Sequence, residues 1–238
     1  MDAKELLRCY AQGQREFRNT PLVNLDLEGV DLSDAKFLSG IENSNFKGAC
    51  LRGIYCSVKN SNFEGADLSK ARFSSIKNSN FKGADLSDAR LDRIEDSNFR
   101  RACLKEASIS EGTFERCDLE DATLEGAVIL AFLNTNLKRA NLNGCRFMSE
   151  GTIQNCNFEG ATLKNAQMIY FTIENSNFRN ADLQGMTGNE IYFMNVDFRG
   201  IRNFVSPTFT ETQLHHTILP DGRLAVVAYL DSEGFGKL

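Results

Sequence analysis

Two histidines, seven cysteines and a recurring asparagine are the residues of this chain whose types could carry chemistry. His215 and His216 are adjacent. Such a pair can ligate a transition metal, but a site needs three or four convergent ligands. The pair falls in a C-terminal stretch that reads as a tail, and the expectation is two solvated imidazoles. The cysteines are odd in number and contain no C-x-x-C pair, which argues against a disulfide framework and for free thiols in a reducing compartment. With no histidine before position 215, neither a Ser-His-Asp nor a Cys-His arrangement can be assembled upstream. No catalytic residue, metal or cofactor is expected.

The charge balance narrows the remaining classes. Lys and Arg number 27 against 32 Asp and Glu, for a net charge of −5 and a pI near 5.2. A non-specific nucleic-acid binder would carry a basic patch. The chain begins Met1-Asp2-Ala3-Lys4-Glu5 without the apolar run of a secretory signal, and no segment has the length and hydropathy of a membrane span. A cytoplasmic location is expected, with no membrane contact and no direct nucleic-acid binding.

The elements that position these residues follow from a repeat. Gly65-Ala66-Asp67-Leu68-Ser69 returns as Gly83-Ala84-Asp85-Leu86-Ser87, and Asn60-Ser61-Asn62-Phe63 returns around Phe81 and Phe178. From Ile94 onward a large apolar residue recurs at every fifth position through Phe99, Leu104, Ile109, Phe114, Leu119, Leu124 and Ile129. A small residue precedes each by two. A helix of about 3.6 residues per turn rotates such positions off one face. In a straight strand an odd period sends alternate repeats to opposite faces. Only a chain that turns once per repeat keeps every fifth residue inside. Four turns close one coil, with the large residue and its small companion pointing inward and three positions outward.

This A-(D/N)-L-x-x pattern, running roughly from Leu22 to Arg199, resembles the pentapeptide-repeat family and its cyanobacterial members. The resemblance implies an all-β fold, a right-handed quadrilateral β-helix. About ten coils at a spacing of ~4.8 Å would form a rod of about 45–50 Å. Residues 1–17 are expected to be an N-terminal capping helix, with Leu6, Leu7 and Tyr10 on one face and Gly13 as its stop. Residues 18–204 are the solenoid and 205–238 a C-terminal tail or cap. The central residues fall in four columns, one per face. The third is a Leu ladder, the second is mostly Phe, and Cys56 or Tyr55 completes one coil on the fourth. All irregular spacing falls between the fourth and first faces, as from Phe73 to Ile76 or from Phe147 to Ile153.

Outward positions carry the functional information. The column Asn43, Asn60, Asn78, Asn134, Asn155, Asn175 and Asn195 suits turn conformations and amide bonding between coils. Second-face charges nearly alternate through Glu28, Lys47, Glu64, Lys82, Arg100, Glu120, Lys138 and Glu159, which suggests a self-paired surface. Apolar residues occupy outward places near the fourth-to-first corner of later coils: Val128, Leu130, Leu133, Met148, Ile169, Tyr170, Tyr192 and Met194. They are expected to form one stripe. The stripe is either a contact site for another protein or the seat of the apolar tail from Val226 to Leu230. The functional expectation is a non-enzymatic interaction or scaffold module, monomer or homodimer, and the resemblance implies a regulatory protein in a cyanobacterium. The alternative, from the same resemblance, is a DNA mimic that binds DNA gyrase or another topoisomerase.

Overall fold

One side of a coil shows how five residues make a turn. The Phe63 N–H donates to the Asn80 carbonyl of the next coil at 2.7 Å, and the Phe63 carbonyl accepts from Ala66 N–H at 3.0 Å, closing a tight turn. Between them Gly65 sits at φ +67°, and its N–H donates to Lys82 O at 2.9 Å. The backbone thus changes direction while its polar groups bond along the stack. The left-handed residue falls two places after the centre, and Gly65 has open space around its missing Cβ. Its glycine answers the backbone angle rather than any crowding.

Repetition of this unit builds the chain into a right-handed quadrilateral β-helix of about 10 turns behind one short helix. The computed structural model describes residues 1–18, 21–203, 209–231 and 234–235. The interior follows the four expected columns. Leu32, Leu51, Leu68, Leu86, Leu104, Leu124, Leu142 and Leu163 form the third-face ladder, each shielded from solvent. On the second face Phe46, Phe63, Phe81 and Phe99 stack nearly parallel, with ring centroids 5.2, 5.0 and 4.9 Å apart. Such stacking adds about 0.5–1.5 kcal/mol per pair to area burial. Cys56, not Tyr55, fills the fourth-face centre; Tyr55 faces solvent.

Small inward positions carry a second ladder. Ser44 N–H donates to Ser61 Oγ, Ser61 N–H to Ser79 Oγ, and Ser79 N–H to Ser97 Oγ, at 3.0–3.1 Å. Each hydroxyl in turn donates to the carbonyl two residues before it, at 2.7–2.9 Å. Cys117 and Cys156 take the same place and donate weakly to Glu115 O and Gln154 O.

Both ends are closed. The helix Ala3–Ala11 starts at Asp2, whose carboxylate accepts from Glu5 N–H at 2.8 Å, and buries Leu6. It ends before Gly13, the expected stop, which adopts φ +92° while Gln14 N–H bonds back to Cys9 O, and Glu16–Phe17 already form a strand of the stack rather than part of the cap. Tyr10 anchors it to the first coil through its hydroxyl on Ser33 O at 2.9 Å. The stack already includes Phe17, paired with Phe37.

The C-terminal boundary differs from the expected residue 204. Phe204 and Pro207 lie outside the described residues, but the five-residue period resumes with buried Phe209, Leu214 and Leu219. Phe209 pairs with Gly188 and Leu214 with Phe193. Their small companions are Thr212 and Thr217; the coil is hidden in the sequence because Phe209 stands six residues after Asn203, which takes the third-face place, so the period shifts by one. The Phe209 ring occupies the space where a Gly188 Cβ would stand. After a turn at Pro220-Asp221-Gly222 the strand Leu224–Asp231 runs back antiparallel over Thr212–Ile218. The tail therefore covers the open edge of the last coil, a device that blocks stacking by another chain.

Candidate functional site at the fourth-to-first corner

Three corners of each coil are closed by left-handed turns and keep register. The fourth-to-first corner is instead crossed by continuous strands, among them Val128–Leu133, Arg146–Gln154, Gln167–Glu174 and Thr187–Met194. Register shifts between Cys56 and Ser57, between Ile129 and Ala131, and between Arg146 and Thr152 all fall here. Up to Gly188 the length variation among the described residues falls at this corner, so its outward side chains are not dictated by the turn.

The structure brings together only part of the expected stripe. Leu130, Met148 and Ile169 each follow a fourth-face centre on successive coils and form one column along the rod. Val128 lies beside Leu130 on the same outer side of its strand and is half-buried. Tyr170 occupies the corner itself at φ +52°, a conformation that costs a bulky residue about 1–2 kcal/mol. Met148, Ile169 and Tyr170 are 40%, 46% and 50% exposed. Tyr192, 39% exposed, lies past the corner in the column of Thr152 and Thr172. Leu133 and Met194 belong to a further column and are separated by Gln154 and Glu174, so they do not join the patch. The single stripe drawn from sequence is thus a compact patch on three coils plus outlying residues. The missing information was the length of each coil at this corner, which sets the column an outward residue joins.

The described strand of the tail does not seat on this patch. Leu224–Asp231 pairs with Thr212–Ile218 at the end of the rod.

The patch has a charged margin that pattern reading missed. Glu150, Glu190 and Glu211 hold the same left-handed corner place as Tyr170, at φ +65°, +53° and +51°. Among the described residues none of the three enters an ion pair, in contrast to the second face, where Lys82 meets Glu64 at 3.1 Å and Lys138 meets Glu159 at 3.2 Å. The signal was present in the sequence, but only the backbone angle shows that these residues share one column.

The first-to-second corner is the structural counterpart. Asn43, Asn60, Asn78, Asn134, Asn155, Asn175 and Asn195 all adopt positive φ, as the turn requires. Asn60 Nδ2 donates to Asn43 Oδ1 at 3.1 Å and Asn195 Nδ2 to Asn175 Oδ1 at 3.0 Å, while Arg116 and Asp96 continue the column as an ion pair. A second amide ladder, Asn45–Asn62–Asn80–Asn98, runs beside it at 2.9–3.2 Å. These amides line a shallow groove of ≈ 710 Å³, and the ladders already engage them.

The remaining chemistry-bearing residues are dispersed. His216 takes the place of the corner asparagine in the last coil at φ +47°, while His215 lies on the preceding strand, its Nε2 3.3 Å from Gln213 Oε1. The pair sits in the coil stack rather than in a free tail. No group of three or more His, Cys, Asp or Glu able to hold a metal ion occurs among the described residues. Burial pushes the Cys117 and Cys145 thiols up to about 12 and Cys156 to about 11, so they remain protonated near neutrality. Cys50 and Cys103 lie in the third-face outward column with Asp67 and Asp85 between them, too far apart to bridge. No helix among the described residues is long and apolar enough to cross a membrane.

A four-sided solenoid with one Leu, Phe or Ile per side defines a class of repeat protein. Two stretches, residues 59–94 and 151–185, match the description of pentapeptide repeats, with 8 copies. Those two stretches are pentapeptide repeats, and the coils between and around them follow the same five-residue unit. An uncharacterized protein of Synechocystis sp., slr1851, is 50% identical over 38 residues, 16% of this chain and 24% of that relative's length. Among solved structures, HetL is 22% identical over 94% of this chain and 99% of its own, with a TM-score of 0.37. It is a pentapeptide repeat protein involved in heterocyst differentiation regulation from the cyanobacterium Nostoc sp. strain PCC 7120. QnrB1, a plasmid-mediated fluoroquinolone resistance protein, is 20% identical over 82% of this chain and 89% of its own, with a TM-score of 0.27.

Proposed function

We propose that this chain is a non-catalytic protein-interaction scaffold that meets its partner at the fourth-to-first corner, as a regulatory protein in a cyanobacterial cytoplasm. The observation that carries the reading is the column Leu130, Met148 and Ile169 beside exposed Tyr170. Adjacent exposed apolar residues on an otherwise polar rod gain nothing until a partner covers them. Tyr170 and Tyr192 are the anchors, since each offers a rigid ring with one polar tip. In a non-catalytic protein the interior would be filled by packing alone, and the buried cysteines fit that role as compact hydrophobes.

Capture by the immobilised full-length chain tests this. One protein should be held by the native chain and by a second-face control, Lys82→Ala, and lost with Ile169→Ser combined with Tyr192→Ser. Retention of the same proteins by all three would overturn the reading. The topoisomerase alternative needs sustained negative charge along the rod. Pairs such as Glu64–Lys82 and Glu159–Lys138 cancel charge locally. A supercoiling assay with purified gyrase should show weak or no inhibition; potent inhibition would put the alternative first.

A further inference from the structure

We propose that the fourth-to-first corner accepts a basic amphipathic helix of another protein, laid along the rod axis; this rests on the interaction reading above. The apolar column supplies the first argument. Leu130, Met148 and Ile169 repeat along the rod once per coil, at the strand spacing of ~4.8 Å. One turn of an α-helix rises about 5.4 Å. Across the two steps from Leu130 to Ile169 the mismatch is only about 1 Å. A helix parallel to the axis therefore offers side chains at i, i+4 and i+7 to the three residues in turn. An extended segment repeats its side chains at about 6.6–6.8 Å on one face and falls out of step sooner.

Charge selects the partner's second feature. Glu150 flanks the column at Met148, Glu190 and Glu211 continue the same corner one and two coils beyond Ile169, where two further turns of the helix would reach them, and none is paired among the described residues. Lys or Arg on the facing flank of the docked helix would meet them as charge-assisted pairs. Arg146, beside Met148 on the fourth-face side, is exposed and is the cation at the opposite margin. It fixes orientation by disfavouring a second basic flank there. An anionic lipid surface would instead be repelled by the glutamate margin.

Tyr170 adds an independent argument. Asn and Gly take left-handed places at little cost, yet this one carries an aromatic ring that is half exposed. A strained aromatic at the centre of the glutamate column is what a docking anchor would require.

Two synthetic helical peptides with the same Leu stripe, one flanked by Lys and the other by Glu, provide the probes. Fluorescence anisotropy with the full chain should show the Lys peptide binding at least about tenfold tighter than the Glu peptide at low salt. Most of that preference should vanish at about 0.5 M salt. Glu190→Lys with Glu211→Lys should reverse the preference, and Ile169→Ser should weaken both peptides about tenfold. Equal binding of the two peptides, or indifference to the charge reversal, would overturn the inference, as would binding of anionic vesicles through the same residues. If neither peptide binds while cellular capture still depends on Ile169, this inference fails and the interaction reading stands. If capture is also indifferent to Ile169, both fall.

Discussion

The first-to-second and fourth-to-first corners turn the same chain on the same coils, yet they spend their outward residues differently. At the first, amides bond to the coil above and hydroxyls bond inward, so the polar groups named are engaged within the rod. At the second, the step between faces varies, apolar side chains face solvent and three glutamates lack ion pairs among the described residues. A corner whose residues satisfy each other is explained by stability. A corner that leaves apolar side chains and three glutamates without partners among the described residues is the one the interaction reading assigns to an external partner. Substitutions should therefore be costly at one and nearly free at the other.

The frame common to both corners gives the largest effect. Leu86 is sealed in the third-face ladder between Leu68 and Leu104. Leu86→Asp would place a carboxyl where no partner or water is within reach, and should cost about 4 kcal/mol or more. Thermal denaturation followed by circular dichroism should show a large drop in Tm. An unchanged Tm would mean that the columns are wrongly assigned and that neither corner is as described.

An alkaline titration tests the inner side of the first-to-second corner. Cys117 and Cys156 occupy the hydroxyl ladder, and burial raises their folded pKa from 9.0 to about 12 and about 11. The folded chain therefore holds protons that the unfolded chain releases. Their stabilising effect is complete below pH 9 and declines as pH rises from 9 through 11 to 12, at up to about 1.4 kcal/mol per pH unit for each thiol. Ser97 fills the same place one coil before Cys117. Cys117→Ser with Cys156→Ser should accordingly fold and lose part of this alkaline decline in urea denaturation. An identical pH profile in the variant would show that these thiols are not the buried titrating groups.

The hydroxyls themselves come next. Ser79 Oγ accepts from Ser61 N–H at 3.1 Å and donates to Lys77 O at 2.8 Å. Ser79→Ala leaves a buried N–H without its acceptor and should cost about 1–2 kcal/mol. Ser74, exposed in the strand Arg72–Lys77, serves as the control, and Ser74→Ala should stay within about 0.5 kcal/mol. Equal losses at the two sites would remove the distinction between a bonded ladder and ordinary surface serines.

How far the sequence carries depends on whether a residue obeys the period. Leu86, Phe81 and Asn78 could be assigned to a face because each repeats in register with its neighbours. Tyr55 and Cys56 could not be separated, since they fall beside the step where length varies, and only the pairing of Cys56 with Phe73 resolves them. The same step moved Leu133 and Met194 out of the patch and brought Glu150, Glu190 and Glu211 into one column with Tyr170. The last coil was missed because Asn203 interrupts the Leu ladder and Phe209 follows it by six residues rather than five. Periodicity locates residues that the repeat constrains. It is silent where the repeat relaxes, and at the fourth-to-first corner the repeat leaves side chains free to vary.

Tyr170 gives the smallest stability effect and the one whose sign separates the two corners. Its backbone lies at φ +52°, where asparagine is tolerated far better than tyrosine, and half of the residue is exposed, so little burial offsets the strain. Asn60, at φ +51°, shows that the fold accepts asparagine in this conformation at its other corner. Tyr170→Asn should then leave the fold unharmed or raise its stability by about 0.5 kcal/mol, while weakening partner binding. The opposite exchange, Asn60→Tyr, should lower stability by about 1 kcal/mol or more, because it adds backbone strain and removes an amide from the ladder. Urea denaturation of both variants decides the matter. A loss above about 1 kcal/mol for Tyr170→Asn would show that the ring is a packing element of the solenoid. The two corners would then differ in composition but not in purpose.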